Sequence, residues 1–425
     1  MTARRIVFIG AAGEMCRVAV ERFAVAGGDW QLTLTDIHPE RLEPLLARLP
    51  SGCATTRRLD LFDRDSLLEV IDGAALVVLG AGPYTRTSEP VLTACLTAGV
   101  PYLDFDDDVE STQAALALYS RARDAGVPCY VGCGASPGMS NVLAVDAAGD
   151  LDSVYSIDMC WVVGDERPGI GRAVLEHLLH IAAGPCLTWA NGGPAMHRTW
   201  VETDIVPMGG SLGDLLLYET AHPEAVTVPR RYPDANRIRV LGGLDPAPFN
   251  GLARGLGLAV ERGAMTVEQA VDFMVDLLEN RLGTVTGWRH ALAGMAGQIR
   301  RGESTTPELL RFLTSAALRR PVPYRGGLMA RAIGMRDGQA TVAVRRIPVS
   351  GPDTYLMRDM AAVTGTSCAA FMAVALEAND GRAGVLAPED WVAPPAFYAA
   401  LERVGTPRAE IVESLTSPGP SCPYG

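Results

Sequence analysis

The first 140 residues alternate between short, wholly apolar runs and longer stretches with apolar positions at helical spacing. "RRIVFIG", "WQLTLTD", Ala54 to Leu59, "AALVVLG", "VPYLDF" and "VPCYV" read as strands. Runs this short and this apolar fit strands buried on both faces. Ser66 to Ile71, Pro90 to Ala98 and Thr112 to Ala125 read as helices between them. The alternation predicts an α/β architecture: a doubly wound parallel sheet over residues 1–140. From residue 141 to about 350 the pattern changes. "VYSIDMCWVVG" alternates, Leu175 to Ile181 is helical, and "LTWANGGPAMHRTW" and "LLYETAHPEAVTV" read as strands of a mixed sheet. Thr266 to Leu282 is a strongly amphipathic helix. The stretch after it, around Leu292 and Met295, reads as an apolar insert of helices and loop, a lid or dimer arm. This is expected to be an α+β substrate and oligomerisation domain. Residues 351–425 are expected to return to the first domain, with "SPGPSCPYG" disordered at the end.

Composition narrows the partners. The 425 residues carry a formal net charge of -12, which disfavours nucleic acid and anionic membrane. All 37 basic residues are arginine, so no lysine Schiff base and no lysine acid is available. The nine cysteines are scattered without a C-x-x-C pair, which fits a reduced, cytoplasmic setting and no metal site. The apolar run after the N-terminal arginines is too short for a signal peptide, and no segment is expected to span a membrane.

The chemistry gathers at strand ends. Gly10, Ala12, Gly13, Glu14 and Met15 form a glycine turn from the first strand into a helix, with Cys16 where a third glycine would stand. Such a turn lets backbone N–H groups approach a pyrophosphate. Asp36 closes the second strand, where a carboxylate accepts from adenosine ribose hydroxyls. The pair predicts a Rossmann dinucleotide site for NAD or NADP. NAD is favoured because Asp36 would repel a 2′-phosphate. Tyr84, Asp104, Asp106 and Cys133 fall just past later strand ends, where ligands of such sheets sit.

With these motifs in order, the chain resembles the saccharopine dehydrogenase-like family. The resemblance rests on Gly80-Ala81-Gly82-Pro83-Tyr84, on Tyr102-Leu103-Asp104, and on the turn from Gly132 to Asn141. "YETAHPEAVTVPR", "AAVTGTSCAAFMAVAL" and "GVLAPEDW" carry it through the rest of the chain. Ser136 stands where related turns carry aspartate, and the family's lysine–histidine pair cannot exist here.

The resemblance implies an NAD(P)-dependent oxidoreductase acting on a C–N bond of an amino-acid-like substrate. Asp104 would stabilise a cationic amine or iminium, with Tyr84 or Cys133 orienting the substrate or relaying a proton. Gly80, Ala81, Gly82, Pro83 and Gly134 would line the cofactor. Asp106, Asn141, Arg198 and His222 are candidate substrate contacts, and Arg198, Arg230 or Arg231 could clamp a carboxylate. His177 and His180 share a helix face and read as packed or surface groups. Asp107 and Asp108 read as carboxylates at a helix start. Oxidative deamination of a primary amine, reduction of another bond such as C=C, and a non-catalytic NAD(P)-binding scaffold are the alternatives. A homodimer built by the second domain is expected.

Overall fold

A computed structural model describes residues 4–164, 170–318, 320, 324–378 and 381–419. Strands β1 (Arg4–Ile9), β2 (Trp30–Asp36), β3 (Ala54–Arg58), β4 (Leu76–Leu79), β5 (Tyr102–Asp104) and β6 (Pro128–Tyr130) form a parallel sheet in the order β6-β5-β4-β1-β2-β3. Ile6 to Ile9 are buried in the central strand, whereas β3 is an edge strand with four exposed residues. The seventh strand, Gly384–Leu386, comes from the far end of the chain and pairs with β6.

Helix Glu14–Val25 buries Cys16, Ala19, Val20 and Phe23, one stripe at helical spacing. Helix Met360–Glu377 packs on it. Gly365 permits the approach, since a Cβ there would stand 2.6 Å from the Met15 carbonyl oxygen. This C-terminal helix corrects one expectation. Its 18 residues, with a mean hydropathy of 1.4, are long and apolar enough to cross a membrane. The helix is instead mostly buried inside the molecule.

The second sheet is mixed. Strand Ser153–Val163 runs parallel to Arg237–Leu244 and antiparallel to Gly327–Arg336. Thr203–Gly209 and Glu413–Pro418 stand at its edges. The C-terminal segment therefore contributes a strand to each sheet. "SPGPSCPYG" begins inside the edge strand, and its residues 420–425 lie outside the described residues. The stretch read as one strand through "AHPEAVTV" ends at Glu219, and Glu224–Thr227 is a helical turn. Helix Val267–Leu278 buries Ala270, Val271, Phe273 and Met274 against helices Pro248–Glu261 and Val285–Arg300. Its apolar stripe is thus consumed within the chain.

Candidate active site

The cofactor cradle forms from the first turn. Gly10 has φ +78°, and a Cβ there would meet Ala81 Cβ at 2.6 Å, so the Gly10 and Gly80–Pro83 loops nest against each other. Gly13 caps helix Glu14–Val25 without a side chain, leaving its first N–H groups toward the turn. Ala12 N–H and His38 N–H donate to the Asp36 carboxylate at 3.2 and 3.0 Å, fixing it at the end of β2. Cys16 does not loosen this turn. A Cβ on Gly80 would sit 2.6 Å from the Cys16 Sγ, so Gly80 supplies the room that a third glycine would have left. Gly10, Ala12, Gly13, Glu14, Met15, Asp36 and Gly80 to Pro83 thus surround one end of the sheet. An unblocked helix start, a positive-φ glycine and a ribose-side carboxylate fit a nicotinamide dinucleotide. Gly134 is placed elsewhere. A Cβ there would crowd Phe105, Pro137 and Thr364, so this glycine serves packing.

Asp104 and Asp106 are fully buried and spent on the fold. Asp104 accepts from Tyr102 Oη at 2.6 Å and from Gly132 N–H at 2.8 Å, and its own carbonyl accepts from Cys133 N–H. Burial pushes its carboxyl up to about 6. Asp106 accepts from Ser88 Oγ and Asp108 N–H. These carboxylates brace the ends of β5 and β6, and no face of either is left for an iminium. Cys133 is equally enclosed, and burial holds its thiol well above the usual range. Tyr84 lies edge-on to Phe105, and burial likewise keeps its phenol protonated.

The next two carboxylates face His177 instead. Asp108 is the N-cap residue of helix Val109–Ala117, yet its carboxylate turns to His177 Nδ1 at 2.9 Å. Asp107 stands 3.5 Å from His177 Nε2. Burial pulls the imidazole down, but Asp107 and Asp108 outweigh it and hold His177 up to about 9. His177 rides on helix Arg172–Ala182, and a Cβ on Gly82 would come within 3.5 Å of Ala173 Cβ in that helix's first turn. A cationic imidazole therefore lies one turn from the cofactor loop.

A buried polar chain continues from it. The His177 and His222 rings meet edge to face at 5.6 Å, and His222 Nδ1 faces Glu224 at 3.1 Å. Glu224 accepts from Ser136 and from Ser140, the latter at 2.7 Å. The opening of the second domain, Gly132 to Asn141, is thereby tied to the "HPE" turn. Asn141 accepts from Gly138 N–H and donates to Glu389 at 2.7 Å, so it is a buried brace, not a substrate contact. Arg198 lies on an outer hairpin and is paired with Glu261, which removes it from the cleft. Of the expected substrate contacts, His222 alone joins the site. His177, Asp107, Asp108 and Glu224 complete it. Their one sequence signal was a histidine and an acidic turn that each looked structural alone.

Residues 6–129 match the family described as Saccharopine dehydrogenase NADP binding domain. The fold as a whole is similar to apo histidine-tagged saccharopine dehydrogenase (L-Glu forming) from Saccharomyces cerevisiae. That likeness has a TM-score of 0.63 at 14% identity, covering 97% of this chain and 100% of that one. A Mycobacterium tuberculosis protein provisionally named a trans-acting enoyl reductase is 30% identical over 204 residues, 45% of this chain and 46% of that protein. A trans-acting enoyl reductase of Mycobacterium leprae is 28% identical over 185 residues, 40% of this chain and 44% of that protein. The matches thus span under half the length of these relatives.

Proposed function

We propose that this chain, whose residues 6–129 match the Saccharopine dehydrogenase NADP binding domain family, is an NAD(P)-dependent oxidoreductase that reduces a carbon–carbon double bond conjugated to a carbonyl. The observation that carries this reading is His177, an imidazole one helical turn from the Gly80–Tyr84 loop and held between the Asp107 and Asp108 carboxylates, which favour its charged form. When bound, the nicotinamide dinucleotide supplies the hydride. Conjugate reduction also needs a proton, and His177 holds one at Nε2. Asp108 fixes the ring from Nδ1, and Asp107 keeps it charged. An iminium already carries its proton and would leave this acid unused. The enoyl reductase names of the mycobacterial relatives support the same reading.

The C–N reading retains one favouring observation. The Asp107 carboxylate, beside His177 with 36% of its side chain exposed, would attract a cationic amine. Nicotinamide absorbance separates the two. Oxidation of the reduced cofactor by an α,β-unsaturated thioester supports the first. Oxidation only when an amine is added with an aldehyde or 2-oxo acid would replace it with the second.

NADH is our proposed donor, although the family's description names NADP. The Asp36 carboxylate, oriented by Ala12 and His38, would repel a 2′-phosphate. Asp36→Ser is expected to raise the NADPH-to-NADH ratio of kcat/KM by about tenfold or more, ~1.4 kcal/mol. An unchanged ratio would refute this placement of the ribose.

A further inference from the structure

The second sheet has a face turned away from the histidines. Trp161 on strand Ser153–Val163 meets His222, whereas Asp158, an odd number of residues earlier, points the other way and pairs with Arg331. On that far face the strands Gly327–Arg336, Gln339–Arg346 and Glu413–Pro418 lie side by side. Their register sets Arg331 beside Val344 and Leu415, and Ile333 beside Val342. Arg346 stands two residues beyond Val344, on the same face, as the diagonal neighbour of Arg331. Edge strand Thr203–Gly209 curls over them: Arg346 Nη1 donates to the Met208 carbonyl at 3.5 Å, and Arg239 and Arg331 both pair with Asp204. Between Pro207 on that edge and Leu415 on the opposite edge lies a recess of about 530 Å³, with Arg331 and Arg346 in its wall. That volume suits a small-molecule site.

The charge of the recess is positive. Arg237, Arg239, Arg331 and Arg346 meet Asp158, Asp204 and Glu413, so guanidiniums outnumber carboxylates by one in this network. Arg331 spends Nε and Nη2 on the two aspartates, and Arg346 spends Nε on Glu413. Among the described residues Arg331 Nη1 and Arg346 Nη2 make no hydrogen bond, and neither atom is buried. Guanidinium N–H groups only donate, and two of them on diagonal neighbours can hold one oxyanion. The rest of the wall is apolar: Ile333, Val342, Val344 and Leu415, the last 41% exposed. An inorganic anion would leave that wall in water. An added peptide strand is disfavoured, because Pro207 and Pro418 each remove an N–H from the two edges. A recess between two different edges is not self-complementary, as a symmetric second copy requires. A small molecule with an apolar chain and one negative charge satisfies both the wall and the guanidiniums.

We propose that this recess is a second binding site, for an aliphatic carboxylate, with its chain on Val342, Val344 and Leu415 and its carboxylate between Arg331 and Arg346. The site lies on the opposite face of the sheet from His222 and does not depend on the proposed reduction.

Calorimetry on the full chain tests this with three probes, all kept monomeric: decanoate, acetate and decyltrimethylammonium. Decanoate should bind at one site, at least about a hundredfold more tightly than acetate, which lacks the chain. The cation should not bind. Arg346→Gln removes one arm of the clamp and leaves Glu413, whose side chain is 40% exposed, in contact with water. It should weaken decanoate binding about tenfold. Leu415→Glu places a negative charge on the exposed edge strand and should weaken it by at least about tenfold. Both variants should bind NAD+ as the wild type does, which shows that they are folded. Saturating NAD+ should leave decanoate affinity unchanged, because the recess is remote from the cofactor turn. No decanoate binding, equal binding of the cation, competition with NAD+, or wild-type decanoate affinity in either variant would overturn the site.

Discussion

His177→Asn is expected to lower kcat for an α,β-unsaturated thioester by about a hundred- to ten-thousandfold, with NADH affinity unchanged. The magnitude is that of losing a positioned acid, because asparagine keeps polarity at the site and cannot surrender a proton. The pH profile carries the same signature. With Asp107 and Asp108 overcoming burial, the folded-state value sits near 9, above the ordinary 6.5. The acid is loaded throughout neutral pH, so kcat should stay flat there and fall as pH rises through about 9. Stability moves in the same direction. The contribution of the charged imidazole is complete below 6.5 and is lost as pH climbs through 9. Wild-type turnover in His177→Asn, or an alkaline limb that survives the substitution, would remove His177 from the chemistry.

Glu224→Ala is expected to cost about 3–5 kcal/mol of folding stability, read as a lower denaturant midpoint at pH 7. Glu224 is fully buried, and Ser136, Ser140 and His222 all converge on it. Truncation removes this acceptor from Ser136 and His222 and leaves Ser140 only its longer bond to Asn141. Burial alone would raise this carboxyl, but His222 and the serines hold it below 4.5. Its stabilisation is therefore present above 4.5 and fades as pH falls through the lower folded-state value. Glu224→Gln preserves shape and one acceptor, and should lose less stability and be less sensitive to acid. An alanine variant with the wild-type midpoint would show that the junction does not depend on this carboxylate.

The parts of the molecule legible in the sequence are those determined within about thirty residues. Gly10 and Asp36 reveal a strand–turn–helix–strand unit because the turn, the buried run and the carboxylate follow in order. Asp104 and Asp106 show where the difficulty begins. Their position past a strand end was readable, but not that Gly132 and Ser88 reach across to occupy them. His177 is the converse. Alone on an amphipathic helix it looks like packing, and its charge arises from Asp107 and Asp108, some seventy residues earlier in the chain. The "AHPEAVTV" stretch misleads through its β-branched residues. Pro223 followed by Glu224 was the local sign of a helical start.

The seventh strand of the parallel sheet, Gly384–Leu386, is separated from its neighbour β6 by more than half the chain. All of the second sheet except its edge strand Glu413–Pro418 is thus an insertion that the first domain must wait for. A ribosome emerging at residue 140 has made the cofactor turn but neither the last strand nor helix Met360–Glu377 that covers helix Glu14–Val25. Cutting there would yield a stump with an open sheet edge and a bare apolar helix flank, prone to aggregate. Residues 1–140 alone are therefore not expected to fold as an excised cassette. The first domain is completed only when all of the second sheet but its last edge strand has been laid down inside it.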